Sequence, residues 1–415
     1  MAKSKIYAGL EIGTSKICVV VGEVDSDGSI KILGIGQAPA RGVRKGEIVD
    51  FETAQTCLHD ALVQAEEKTD VMIGNVYLAI TGAHIESLCN RGSIRVPDGP
   101  VANEITEEDL DEVRELARDV SLPQQNVFLH SIIRDYCVDG QEKVQQPVGM
   151  LGKVVEADYH IIHGIKTRMQ NTIRCVREIP IQVDEVVFSP IAAAQVMLSK
   201  EQKERGALLI DIGGGTTDYV MYLGGSVAQS GCIAVGGDHI TNDISMVMNV
   251  PLTRAERLKI EHGSVMVQDD EQEEFIMLED DPHFSGLEID KIMLNKIINA
   301  RVSETFEQLR DRISKNDDIN ALGAGVFLTG GSSKLKEIDK LAEEIFSLPV
   351  SLASISTMSG ATAPFENPQL ATPMGLIRYA QMIEANKTER DNPFKLFKKK
   401  LGGLFGGSSL TENNN

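Results

Sequence analysis

The 415-residue chain is 42% hydrophobic and 25% charged, has no tryptophan, and carries a formal net charge of −20. That length predicts two or more domains, and the composition excludes disordered and collagen-like classes. So acidic a surface repels nucleic acid and anionic lipid, so no nucleic-acid partner is expected and any membrane contact must come from a local basic segment.

The six cysteines, Cys18, Cys57, Cys89, Cys137, Cys175 and Cys232, stand singly with no CxxC pair. That pattern fits reduced small hydrophobes in a cytoplasmic protein better than a zinc or dithiol site. The first five residues run straight into a strand without a signal-peptide pattern, and no apolar run is long enough to span a bilayer.

In chain order, Ile6 to Glu11 is the first strand signal. A Gly-Thr-Ser turn and the apolar run Ile17 to Val21 follow. Ala54, Leu58, Ala61, Leu62 and Ala65 share helical spacing, which predicts a helix over 53–67. Val76 to Ile80 reads as a strand ending at Thr81-Gly82. Thr106 with Asp109 three residues on predicts a capped acidic helix running to about Val120. The strand-like runs Val127 to Ile133 and Val154 to Ile162 follow, and 84–161 reads as a compact insert. His160 and His163 read as polar tips at the end of a buried strand rather than metal ligands.

Ala207 to Ile210 is again a strand ending in an acid and glycines. A helix is predicted over 240–262. Gln268 to Pro282, rich in Asp and Glu, reads as a solvated loop. A long helix is predicted over 288–314, with Ile289, Ile292, Met293, Ile297 and Val302 near its core face. Val326 to Leu328 reads as a strand leading into a glycine turn and a helix start.

The most informative feature is an internal echo. Gly9-Leu10-Glu11-Ile12-Gly13-Thr14-Ser15-Lys16 is answered by Leu209-Ile210-Asp211-Ile212-Gly213-Gly214-Gly215-Thr216-Thr217. Each is a strand, an acid, and a glycine turn with hydroxyls. Two related halves would set two such hairpins face to face across a cleft. Glycines let main-chain N–H groups approach phosphate oxygens, and the hydroxyls of Thr14, Ser15, Thr216 and Thr217 add donors. Glu11 and Asp211 would hold Mg²⁺, through water because that ion sheds water reluctantly. A third turn, Gly330-Gly331-Ser332, offers N–H groups to a nucleotide's phosphate or sugar edge. No GxxxxGK[ST] occurs, and no strand leads into GxGxxG, which disfavours P-loop and dinucleotide folds.

These three loops, in this order, resemble the actin, Hsp70 and sugar-kinase superfamily. Within it the sequence is similar to the FtsA family of bacterial cell-division proteins over nearly the whole chain. Gly9 to Lys16, Arg41 to Gly46, Val76 to Gly82, Asp211 to Asp218 and Leu328 to Ser332 carry the likeness. The resemblance implies an α/β actin-like fold, two related halves around an ATP cleft with an FtsA-type insert. It would divide the chain into subdomain 1A (1–83 and 162–199), 1C (84–161), 2A (200–228 and 310–383) and 2B (229–309). A linker (384–391), an amphipathic helix (392–407) and a tail (408–415) would follow.

The resemblance also places Gly236 and Gly237 at the nucleotide, and Glu256 and Lys259 at its purine and ribose. By residue pattern alone, those last two read as a solvated helix face. The implied partners are the C-terminal tail of the tubulin-like protein FtsZ through 229–309, later division proteins through 84–161, and further copies of the chain in a filament. Hydrolysing relatives place a Glu or Gln where this chain has Ser189, so tight ATP binding with slow hydrolysis is expected. Within the same fold, a PilM-type pilus-assembly protein and a sugar-kinase or Hsp70-type ATPase stand as alternatives.

Asn392 and Pro393 can open a helix on which Phe394, Phe397, Leu401, Leu404 and Phe405 share one face. Lys395, Lys399 and Lys400 lie away from it, with Lys398 at the rim. On so acidic a body, such a basic amphipathic segment predicts docking to anionic lipid on the cytoplasmic face of the membrane rather than an ordinary docking helix or a disordered end. Its five apolar side chains offer roughly 10 kcal/mol and its four lysines up to about 4, against roughly 10–15 for ordering the segment. One anchor is therefore marginal, and a filament carrying many binds through avidity.

Overall fold

The computed structural model of the chain describes residues 4–390, apart from 26, 98–102, 268–273, 280–285, 316–318 and 356–366. The amphipathic segment 392–407 and the tail 408–415 lie outside the described residues.

The first half begins with β1 (Lys5–Ile12), β2 (Lys16–Val24) and β3 (Ile30–Pro39). A two-stranded ribbon follows, β4 (Val43–Arg44) with β5 (Glu47–Ile48), then α1 (Phe51–Thr69) and β6 (Asn75–Ile80). Next comes a separate unit: β7 (Ile85–Arg95), α2 (Glu107–Arg118), β8 (Asn126–Val138), β9 (Gln141–Val144) and β10 (Val154–Ile165). The half closes with α3 (Lys166–Arg177), β11 (Gln182–Phe188), α4 (Ser189–Met197) and α5 (Lys200–Arg205).

The second half repeats the plan with β12 (Ala207–Ile212), β13 (Thr217–Leu223) and β14 (Ser226–Ile233). Its own insertion holds α6 (Gly237–Met248), α7 (Leu252–Glu261), β15 (Phe275–Leu278), β16 (Leu287–Asp290) and α8 (Lys291–Ser314). It ends with β17 (Gly325–Thr329), α9 (Ile338–Phe346), β18 (Val350–Leu352) and α10 (Ala371–Arg390).

The sequence echo is an echo of topology. One five-stranded sheet has the order β11-β6-β1-β2-β3 and the other β18-β17-β12-β13-β14. In both, three strands run parallel and the last two return antiparallel as hairpins. The halves meet through α4 and α10. Ala192, Ala193 and Ala194 are fully buried there, and a Cβ on Gly375 would come within 2.0 Å of the Ala192 carbonyl oxygen. Small residues on both helices let the backbones touch, so the apolar core runs continuously from one half into the other.

The inserted sheet, β7-β10-β8-β9, has its own core around Ile94, Val113, Tyr136, Val155 and Ile161. The expected capping box opens α2: the Thr106 amide donates to Asp109 Oδ2 at 2.7 Å, and the Asp109 amide to Thr106 Oγ1 at 3.2 Å. His130 and His160 fasten this unit to the body. The Phe188 amide donates to His130 Nε2 at 3.0 Å, and His160 Nε2 lies 2.8 Å from Ser230 Oγ. His160 is buried and His130 half-buried, and both are neutral, with pKa values lowered to about 3 and about 4 because desolvation penalises the charged ring. None of the six cysteines forms a disulfide.

Several expectations are corrected. The helix expected over 240–262 is two, broken at Pro251, which cannot supply the main-chain donor a continuous helix needs. Within the acidic stretch expected to be a loop, Phe275–Leu278 is a strand paired with β16; 268–273 and 280–282 lie outside the described residues. Ile289 belongs to β16 and the helix starts at Lys291, with Asp290 as its cap. Its buried face is Leu294, Ile298, Val302, Phe306 and Leu309, while Met293 is 45% exposed. The expected linker from 384 is helical as far as Arg390, as the end of α10. The third glycine turn opens a short 3-10 turn (Gly331–Lys334), and α9 begins four residues later.

Candidate functional site: a phosphate and cation pocket between the halves

The two hairpin turns face each other. A Cβ on Gly215 would lie 2.5 Å from Thr14 Oγ1, and one on Gly214 would lie 3.2 Å from the Cβ of Ser15. The third turn closes the side. Gly330 has φ +88°, and a Cβ there would come within 2.3 Å of Asp211 Oδ1. Gly236 and Gly237 abut the second turn, where the Gly237 amide donates to the Gly213 carbonyl at 2.9 Å. Ser332 Oγ donates to the same carbonyl at 3.3 Å.

A cavity of about 490 Å³ lies among Ser15, Gly214, Gly237, Glu256, Lys259, Gly331 and Ser332. A second, of about 800 Å³, continues outward past Thr14, Gly215, Arg44 and Lys45. Lys259 is buried, with Nζ 2.6 Å from Glu256, and donates to Thr241 Oγ1 and the Gly237 carbonyl. The pair taken from sequence as a solvated face thus lines the pocket wall.

Beneath the turns sits a cluster of acids. In the hairpin registers Asp211 pairs with Asp218, while Glu11 pairs with Cys18. Burial raises all three carboxyls, most of all Asp211, which burial and the charges of Glu11 and Asp218 push up to about 8. Asp218 stands at about 6, its burial partly offset by hydrogen bonds from Thr81, Cys232 and Thr216. Glu11 keeps 22% side-chain exposure, yet its Oε2 is buried and accepts no hydrogen bond. Lys16 Nζ is 3.8 Å from that oxygen and donates to the Gln369 carbonyl. Thr372 Oγ1 donates to Asp211 Oδ2 at 3.3 Å.

One ammonium, Lys16, stands among three carboxyls whose ionised forms burial disfavours, and a further cation beside them would favour ionisation. Among the described residues no group of three or more acids, histidines or cysteines converges closely enough to hold a metal directly. Hydrated Mg²⁺, held by Glu11 and Asp211 through water, fits that arrangement.

Every expected cofactor-side residue lies on or beside these turns, with differences in detail. Thr217 is fully buried and its hydroxyl donates to the Val235 carbonyl. Thr216 donates to Asp218 at 3.3 Å. Ser189 is buried, its hydroxyl donating to the Ile80 carbonyl at 3.1 Å. Asp218, Thr81 and Asp238 belong to the site and are absent from the sequence-based set. Asp218 was within reach, since it is the residue a six-residue hairpin must place opposite Asp211. His160 and His163, as expected, are buried strand residues; His163 Nδ1 lies 2.9 Å from Asn126 Nδ2.

Two halves of one topology, glycine turns meeting at their junction and an acidic cluster below them define an actin-like protein. The fold is shared with the PilM-PilN type IV pilus biogenesis complex (TM-score 0.61, 16% identity, 90% of this chain and 98% of that one). It is shared also with MreB5 of Spiroplasma citri bound to ADP (TM-score 0.56, 16% identity, 94% and 99%). The family model "Cell division protein FtsA" matches residues 208–375, and "SHS2 domain inserted in FTSA" matches 82–163. A cell division protein FtsA from Neisseria meningitidis serogroup B is 33% identical over 396 residues, 95% of each chain. The chain belongs to the FtsA family of cell-division proteins.

Proposed function

We propose that this chain is an ATP-binding cell-division scaffold that forms filaments, ties FtsZ filaments to the cytoplasmic face of the membrane at the septum, and helps recruit later division proteins. The observation that carries the nucleotide part is the convergence of three glycine turns above a carboxylate cluster whose Glu11 Oε2 accepts no hydrogen bond. The turns present main-chain N–H groups and the hydroxyls of Thr14 and Ser15 to phosphates. Glu256 and Lys259 form the wall for the purine and ribose. Mg²⁺, when bound, neutralises phosphate charge. Glu11 and Asp211 would hold the ion through its waters, and Asp218 accepts a hydrogen bond from the Thr81 hydroxyl beside them.

Slow turnover follows from Ser189, whose hydroxyl is committed to the β6 main chain. Loss of a positioned base forfeits about 10²–10⁴-fold in rate. The second-half insertion, 229–309, exposes Met246, Val247, Leu252 and Ile260, apolar surface of the kind a peptide covers, which supports it as the seat of the FtsZ tail. The insert 84–161, with the acidic first turn of α2, is the surface for later division proteins. Segment 392–407 is the lipid anchor; among the described residues no helix is long and apolar enough to cross a membrane.

Calorimetry with Mg²⁺ and ATP tests the nucleotide part, and absence of uptake ends it. Pulldown on an FtsZ tail peptide, comparing the natural chain with charge changes in 229–309, tests the partner. Equal capture by both removes that assignment.

A further inference from the structure

We infer that the Lys45–Gly46 hairpin distinguishes a nucleoside triphosphate from a diphosphate, with the Lys45 ammonium receiving the terminal phosphate; this rests on the nucleotide function proposed above. The hairpin turns on two residues of positive φ, Lys45 at 51° and Gly46 at 76°, the geometry of a tight turn that fits strand twist. It is placed where three parts of the pocket meet. The Gly46 amide donates to Thr14 Oγ1 at 3.1 Å. A Cβ on Gly46 would lie 2.8 Å from the Thr81 methyl, and one on Gly215 would lie 3.0 Å from Lys45 Cα. The turn therefore touches the first phosphate loop, the second phosphate loop and the residue that bonds Asp218. Gly215 belongs to the opposite half.

Charge singles out Lys45. Lys16 already serves Glu11 and the Gln369 carbonyl, and Lys259 already serves Glu256. Lys45, with Arg44, lines the outer cavity beside Thr14, Ser15 and Gly215. Among the described residues neither basic side chain forms an ion pair, in a chain of net charge −20. The Lys45 charge reaches across the cleft. After burial, it is the largest influence holding His239 of α6 below the usual imidazole range. A diphosphate satisfies the inner turns. The added charge of a third phosphate at the outer end of the loops meets the Lys45 ammonium, which among the described residues has no counter-charge; Lys334 and Lys336, also without an ion pair there, line the inner cavity instead.

The test is calorimetric titration of the full chain with Mg²⁺-ATP and Mg²⁺-ADP. Lys45→Ala keeps a non-glycine residue at the same positive φ, so the backbone cost is unchanged. It should weaken ATP binding about ten- to hundredfold, the worth of a hydrogen bond to a charged group, and ADP binding by less than about threefold. Lys45→Arg should restore most of the ATP affinity. Lys45→Gln, which keeps volume without charge, should behave as Lys45→Ala and serves if the alanine chain misfolds. Equal loss of both nucleotides, or undiminished ATP binding in the neutral variants, overturns the inference alone. Failure of the unaltered chain to take up either nucleotide overturns the nucleotide function itself.

Discussion

Adding Mg²⁺ and ATP at pH 7 should expel protons from the acidic cluster, and the amount follows from the structure. With Asp211 pushed up to about 8, its carboxyl is about 0.9 protonated at pH 7 and about 0.1 at pH 9. A dication beside it favours the ionised form at both pH values. Release should therefore approach about 0.9 proton per site at pH 7 and fall to about 0.1 at pH 9. Asp218, at about 6, adds about 0.1 at pH 7.

Calorimetry in buffers of different ionisation heat reads the proton count as the slope of observed heat against buffer heat. The Asp211→Asn chain supplies the background from the nucleotide's own phosphates. The sign for the free protein also follows. A carboxyl raised in the folded state binds its proton more tightly there than in the unfolded chain. Its contribution is present at low pH and is lost as pH rises from about 4 to about 8, by up to about 1.4 kcal/mol per unit. Nucleotide with Mg²⁺ should flatten that slope. Uptake with no buffer dependence at pH 7, or release that grows towards pH 9, would refute the charge reasoning.

Gly330→Ala meets Asp211 Oδ1 and a strained φ at once, so it should cost about 2–4 kcal/mol in urea unfolding and abolish nucleotide uptake. Ser189→Ala removes one buried hydrogen bond and should cost about 1 kcal/mol with ATP turnover unchanged; a tenfold fall in turnover would make Ser189 catalytic. His130 and His160 are neutral in the fold, depressed from 6.5 to about 4 and about 3. Their contribution is full above pH 6.5 and falls as pH drops towards 4, so hydrogen exchange should show the β10–β14 contact opening in that window. Unchanged protection at pH 4.5 would contradict it. Deleting 392–407 should turn a septal label diffuse, and a retained septal band would remove the anchor assignment.

The hairpin echo at Glu11 and Asp211 was legible from sequence because a glycine turn after a strand is a local event, set by backbone sterics and repeated in both halves. The α2 cap was legible for the same reason: Thr106 and Asp109 satisfy one another within a single turn. Failures came where neighbours decide. Met293 and Leu294 are equally apolar, and only the partner packed against α8 selects which is buried. Phe275–Leu278 lies amid acids and forms a strand because β16 returns to pair with it. The polar run from 384 stays helical as the continuation of a helix whose start is buried against α4.

Sequence alone determined the class of the molecule, since paired glycine turns, acids and hydroxyls at matched spacing constrain the backbone wherever they occur. Tertiary structure alone decided which groups share the pocket. Asp218, Thr81 and Lys45 are separated in the chain, and their meeting beside one turn depends on the two halves docking through α4 and α10. That closure buries the acids, and burial, a property of no single segment, sets their charge.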